Sequence, residues 1–138
     1  MINESLRRFP LFADLSEADM EWLSAHVELM AVAAGTNLIE EGQPGDAAYL
    51  VVDGEFEVVK KSDRQSITIA LREAGEVFGE MALIDQVPRT ATATAKTACK
   101  LAVIPEKRFL FMVQTTPHFA LKIMKVMADR LRKMNQRV

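Results

Sequence analysis

The apolar positions change period twice along the chain. Leu15-Ser16-Glu17-Ala18-Asp19-Met20 predicts a helix start. Ser16 can cap the first turn, and Asp19 stands where a capping box places its reciprocal carboxylate. Leu15 and Met20 occupy the hydrophobic-staple positions. Met20, Leu23 and Val27 then continue as a helical stripe. From Glu28 to about Ile104 the pattern turns to short alternating runs between glycine-rich turns. Pro44-Gly45 suits a tight turn. Tyr49-Leu50-Val51-Val52 runs into Asp53-Gly54, which predicts a two-residue hairpin. Phe56 and Val58 alternate with Glu55 and Glu57. A four-residue polar loop, Ser62-Asp63-Arg64-Gln65, leads to Ile67, Ile69 and Leu71, alternating with Ser66, Thr68 and Ala70. Cys99, Leu101 and Val103 alternate again. Short strands at this spacing predict a sandwich or barrel.

After Ile104 the helical period returns. Pro105 fits a first helical position, with Phe109, Met112 and Val113 as the apolar face. Thr116 caps a second helix, and Pro117 opens it. In that helix Ala120, Met124, Met127, Leu131, Met134 and Val138 are spaced four, three, four, three, four. Two readings stand side by side. The stripe packs on the barrel, or it forms the a/d seam of a short coiled coil that pairs two chains into a homodimer. Both can hold along different parts of the helix.

Composition narrows the picture. At 138 residues the chain suits one domain with a real core. Its formal net charge of −2 excludes a polyanion binder, so no nucleic-acid partner is expected. No apolar run is long enough to span a bilayer, and no membrane partner is expected. The N-terminus lacks the basic flank and apolar stretch of a signal peptide, which predicts a cytoplasmic chain. Cys99 is the single cysteine, so neither an internal disulfide nor a cysteine metal cluster can form within one chain. His26 and His118 belong to no ligand-spaced cluster.

Residues 75–93 sit among the strands yet do not alternate. Glu80 to Asp85 is rich in helix formers and predicts a single helical turn inside the barrel. Its first N–H groups lack partners within the turn. Gly79 keeps the approach to them free of a side chain. Such a terminus suits an anion, phosphate above all. Arg89 follows within reach and can give a charge-assisted, bidentate contact to phosphate. Glu80 can accept a hydrogen bond from a hydroxyl such as a ribose 2′-OH. Each element alone is weak; the ordered combination is specific.

That combination resembles the phosphate-binding cassette of cyclic nucleotide-binding domains, F-G-E-x-A-L-x-x-x-x-P-R-[TSA]-A, matched at every position from Phe78 to Ala91. The resemblance extends over the chain. It implies N-terminal helices within 1–27 and a β-roll over 28–104 with its cassette at 78–93. It also implies hinge and lid helices over 105–138. The fold class is thus mainly β with flanking α. It is a jelly-roll-like barrel with a short phosphate-binding helix inside it and two C-terminal helices.

The resemblance implies that Glu80 binds the ribose 2′-OH and Arg89 an exocyclic phosphate oxygen. Backbone N–H groups around Met81, Ala82 and Leu83 would cradle the phosphate, and Thr90 would add a hydroxyl and an N–H. Phe78, Gly79 and Ala91 complete the cassette. Thr90 permits cAMP or cGMP. The segment 127–135 resembles the helix end of the bacterial catabolite activators, with Met134 and Asn135 in place of a Thr-Ser pair that contacts the base. Met134 would pack on the purine, and Asn135 would pair with its edge. Arg130 and Arg132 read as solvated helix residues. Leu71, Phe78 and Val77 read as core.

The function implied is a cyclic nucleotide sensor that moves its last helices about a hinge near Thr115-Thr116-Pro117. The alternative is the ligand-binding fragment of a larger transcription regulator, channel or kinase regulatory protein. No enzyme is expected, because hydrolysing a cyclic phosphate calls for a metal or a positioned base. The only small molecule implied is the nucleotide itself, with no cofactor. A haem or iron–sulfur sensor of this fold would need ligands that a lone Cys does not supply.

Overall fold

The first helix starts where its cap predicts. Ser16 Oγ accepts a hydrogen bond from the Asp19 N–H at 3.1 Å, opening α1 (Glu17–His26). Leu15 and Met20 are both buried in one apolar cluster. The computed structural model describes residues 6–62 and 64–136, so residues 1–5, Asp63, Arg137 and Val138 lie outside the described residues.

Eight strands follow in two antiparallel sheets of four. One sheet runs in the order β1 (Glu28–Val32), β8 (Cys99–Pro105), β3 (Ala47–Asp53), β6 (Val77–Phe78). The other runs β2 (Asn37–Ile39), β7 (Thr92–Ala95), β4 (Phe56–Ser62), β5 (Gln65–Arg72). Between β6 and β7 comes α2 (Glu80–Ile84). After β8 come α3 (Glu106–Thr115) and α4 (Pro117–Gln136). Among the described residues no helix is long and apolar enough to cross a membrane.

Three local expectations are corrected. Asp53-Gly54 does not close a hairpin, because β3 pairs with β8 and β6 whereas β4 pairs with β5 and β7. The turn carries the chain from one sheet to the other. The polar loop after β4 is shorter than predicted, since pairing continues to Ser62 opposite Gln65. Ile67, Ile69 and Leu71 alternate as expected, but all three are exposed at 40% or more. Alternation sets which residues share a face and leaves open which face is covered. Pro105 also stands one position earlier than expected, as the residue before α3.

The core is double. β3 is buried on both faces, so its side chains feed two clusters. Ala48, Leu50 and Val52 join α1, Phe109 and Met112 of α3, and Phe119 and Ile123 of α4. Tyr49 and Val51 join Phe56, Phe78, Ala93 and Leu101 between the sheets. Apolar burial of this kind stabilises by about 25 cal/mol per Å². It holds both layers against the sheet they share, in which β8 and β6 also feed both clusters, through Ala102 and Val77 on one side and Leu101 and Phe78 on the other.

Candidate functional site

The short helix predicted inside the barrel is present as α2. Gly79 precedes it with φ of +81°, a left-handed backbone that favours glycine. A Cβ there would come within 2.9 Å of Arg89 Nη1 and 3.1 Å of Ile39 Cδ1. The residue must therefore be glycine for both backbone and space. Ala82 and Leu83 are buried, whereas Met81 is 55% exposed. Leu83 shares its cluster with Phe109 and Met112, which ties the cassette turn to α3.

Arg89 lies inside the protein, 7% exposed. Its Nη1 donates to the Gly79 carbonyl at 2.5 Å and its Nη2 to the Ala47 carbonyl at 2.7 Å. Asp46 Oδ1 lies 3.8 Å from Nη2 but is itself open to solvent. The Arg89 backbone is clamped to the Pro44-Gly45 loop. Its N–H donates to the Gln43 carbonyl and its carbonyl accepts from the Gly42 N–H, both at 2.8 Å. Gly45 lets the loop approach: a Cβ there would meet Ala82 Cβ at 2.7 Å and Arg89 Cζ at 3.3 Å. A guanidinium carries five donors. Two carbonyls fix its plane and leave donors for an anion.

Glu80 is 2% exposed. Its Oε1 accepts from Arg130 Nη1 at 2.5 Å, and Arg130 Nη2 also donates to the Val77 carbonyl. This corrects the reading of Arg130 as a solvated helix residue. The signal was available. Phe119, Ile123, Val126 and Arg130 are spaced four, three, four and form the stripe that faces the protein. Arg132 does remain exposed, paired with Asp129 at 3.1 Å.

The remaining candidates divide. Phe78 is core, with ring centroids 5.4 Å from Tyr49 and 4.9 Å from Phe56. Thr90 is exposed, and its carbonyl accepts from Lys60 Nζ at 3.3 Å. Ala91 is half-buried beside it. Met134 and Asn135 are exposed and have no hydrogen bond to the cassette among the described residues. Met134 lies one turn beyond Arg130, and Asn135 is rotated a further ~100° about the axis. Burial pushes the Tyr49 phenol up, and the Asp46 carboxylate adds to this against a smaller opposing effect of Arg89. The cassette thus holds one buried acid, the first residue of α2, and one buried guanidinium, bonded to the carbonyl of the Gly79 that precedes it. Among the described residues no cluster of His, Cys, Asp and Glu could hold a metal ion.

Comparison with known proteins agrees with this geometry. A model of the family Cyclic nucleotide-binding domain matches residues 29–116. The cAMP-dependent protein kinase regulatory subunit of Yarrowia lipolytica is 39% identical over 109 residues, covering 79% of this chain and 28% of that protein. The chain therefore spans little more than a quarter of that relative's length. The regulatory domain of Toxoplasma gondii PKA, solved with cAMP, superposes with a TM-score of 0.70 at 33% identity, covering 78% of this chain and 41% of that one. A cyclic nucleotide-binding domain from Methylobacillus flagellatus superposes with a TM-score of 0.83 at 27% identity, covering 99% of this chain and 80% of that one. With the cassette in sequence, the β-roll in three dimensions and the match over residues 29–116 in accord, the chain belongs to the cyclic nucleotide-binding domain family.

Proposed function

We propose that this chain is a non-enzymatic sensor for cAMP, with Glu80 and Arg89 as its two anchoring side chains. The observation that carries this reading is the burial of both charges at the N-terminal end of α2. Burying a charge costs free energy unless a partner is present. A buried carboxylate and a buried guanidinium on one cassette suit a ligand that carries both a hydroxyl and a phosphate. Arg89 takes a phosphate oxygen, the α2 amides and Thr90 take others, and Glu80 takes the ribose hydroxyl. A carboxylate accepts from more than one donor. Arg130 can therefore stay on Glu80 while ribose binds, which ties α4 to the occupied site. Met134 and Asn135 reach the base only if α4 advances toward the barrel about the break at Thr116. Leu83, buried with Phe109, carries the movement of α2 to α3.

The cAMP-binding relatives favour cAMP over cGMP, although Thr90 suits either. Calorimetric titration with cAMP, cGMP and 5′-AMP tests the proposal. Saturable binding is expected for cAMP, at least tenfold weaker binding for cGMP, and none for 5′-AMP. No binding of either cyclic nucleotide would overturn it.

A second reading concerns assembly. Met124, Leu131 and Met134 are 57%, 59% and 61% exposed on one side of α4, whereas Phe119 and Ile123 face the core. The described part of the seam predicted from Ala120 to Val138 is thus largely unused by the domain itself, with Met127 partly packed. We propose that two chains pair along it, the chain serving either alone or as the ligand-binding part of a larger regulator. Sedimentation of Met124→Glu/Leu131→Glu against the unaltered chain should show a dimer become a monomer.

A further inference from the structure

A groove of about 360 Å³ runs between the N-terminal segment, the β5–β6 connection and α4, and none of its lining residues comes from 78–91. Its size falls in the range of small-molecule sites. Leu11, Val77 and Val126 give it apolar walls. Five cations border it (Arg72, Lys122, Lys125, Arg130 and Lys133) against two acids, Glu76 and Asp129. This concentration of positive charge stands on a chain of net charge −2.

Three of those cations have partners. Lys122 pairs with Asp14 at 2.9 Å, Lys133 with Asp129 at 3.1 Å and Arg130 with Glu80 at 2.5 Å. The other two, Lys125 and Arg72, make no ion pair among the described residues, although Arg72 Nη1 donates to the Leu71 carbonyl at 3.2 Å. Arg72 Nε is buried without a hydrogen-bond partner among them. A buried donor with no acceptor calls for an explanation. Burial pushes the Arg72 guanidinium down from its ordinary range and the neighbouring Arg130 charge adds to this, against the opposing effect of the Glu76 and Glu80 carboxylates.

We infer that this groove binds a small amphiphilic acid, its anionic head held by Arg72 and Lys125 and its apolar body lying along Leu11, Val77 and Val126. The head group must be acidic because the unpaired groups are cations. The body must be apolar because the walls are. The inference does not rest on the nucleotide reading: Arg89 and α2 are absent from the lining, and Arg130, which lines the groove but bonds Glu80, is not one of the groups that hold the head.

Octanoate, with octan-1-ol as its uncharged counterpart, serves as the probe. Calorimetry and amide chemical shifts on the full chain give the readout, with cAMP titrated in parallel. One octanoate should bind per chain, at least tenfold tighter than octan-1-ol. Shifts should centre on Leu11, Val77 and Val126. Lys125→Glu/Lys133→Glu, at two solvent-facing positions, should weaken octanoate at least tenfold and leave cAMP titration unchanged; Arg72→Gln should weaken octanoate alone. The inference is overturned by non-saturable binding, by equal binding of the alcohol, by variants that bind as before, or by shifts confined to residues 79–91. Failure of cAMP to bind would leave each of these outcomes readable.

Discussion

Replacing Arg89 by Leu should abolish measurable cAMP binding, an affinity loss of at least about 100-fold. A hydrogen bond to a charged group contributes about 1.5–3 kcal/mol, and a phosphate facing a guanidinium makes two. The loss would not be confined to the ligand. Arg89 donates to the Gly79 and Ala47 carbonyls, and each buried acceptor left without a donor costs about 1–3 kcal/mol. Denaturant unfolding should therefore show Arg89→Leu less stable by about 2–4 kcal/mol. Arg89→Lys separates the two effects. A single ammonium on a flexible stem keeps the charge but cannot span both carbonyls and a phosphate. It should recover part of the affinity and little of the stability. A variant Arg89→Leu that binds cAMP as tightly as the unaltered chain would refute the assignment of the phosphate site.

The second large effect is expected at Glu80. Glu80→Ala removes the acceptor for ribose and strands Arg130, whose remaining hydrogen-bond partner among the described residues is the Val77 carbonyl. The affinity for cAMP should fall about 10- to 100-fold, in line with one charged hydrogen bond. Stability should fall by about 2 kcal/mol, less than for a fully buried pair, because Arg130 keeps some contact with solvent. Glu80→Gln keeps an acceptor oxygen of the same shape and should lie between. The readout specific to the site is the ratio of cAMP to 2′-deoxy-cAMP affinity. It should collapse toward unity in Glu80→Ala, whereas a purely structural loss would weaken both ligands alike.

The cassette was legible because its chemistry is contiguous. Gly79, Glu80 and Arg89 lie within one short stretch, and the glycine, acid and arginine each announce a backbone or charge requirement. What lay outside the reach of sequence was long-range. Arg130 meets Glu80 across 50 positions, and only the phase of α4 against the barrel joins them. Asp53-Gly54 predicts a hairpin, and the chain reverses there without pairing the two strands that flank it. Which sheet each flanking strand enters is decided by pairing partners far along the chain, such as β8 for β3. The alternation of Ile67, Ile69 and Leu71 was equally real, yet nothing local says that α4 and α1 cover the other sheet and not this one. The single stripe of α4 from Ala120 to Val138 allows two readings, packing on the barrel or pairing with a second chain. The resolution is that Phe119, Ile123 and Arg130 turn inward while Met124 and Leu131 turn out.

The double burial of β3 bears on how such a molecule can signal without risk to itself. The helical layer rests on one side of that strand and the inter-sheet filling on the other. Sliding α3 and α4 rearranges side chains against a wall whose hydrogen-bonded ladder to β8 and β6 stays intact. In the proposed movement the sheet would act as an anvil: effort delivered at the cassette would not be spent on bending the strands and would pass to the helical layer.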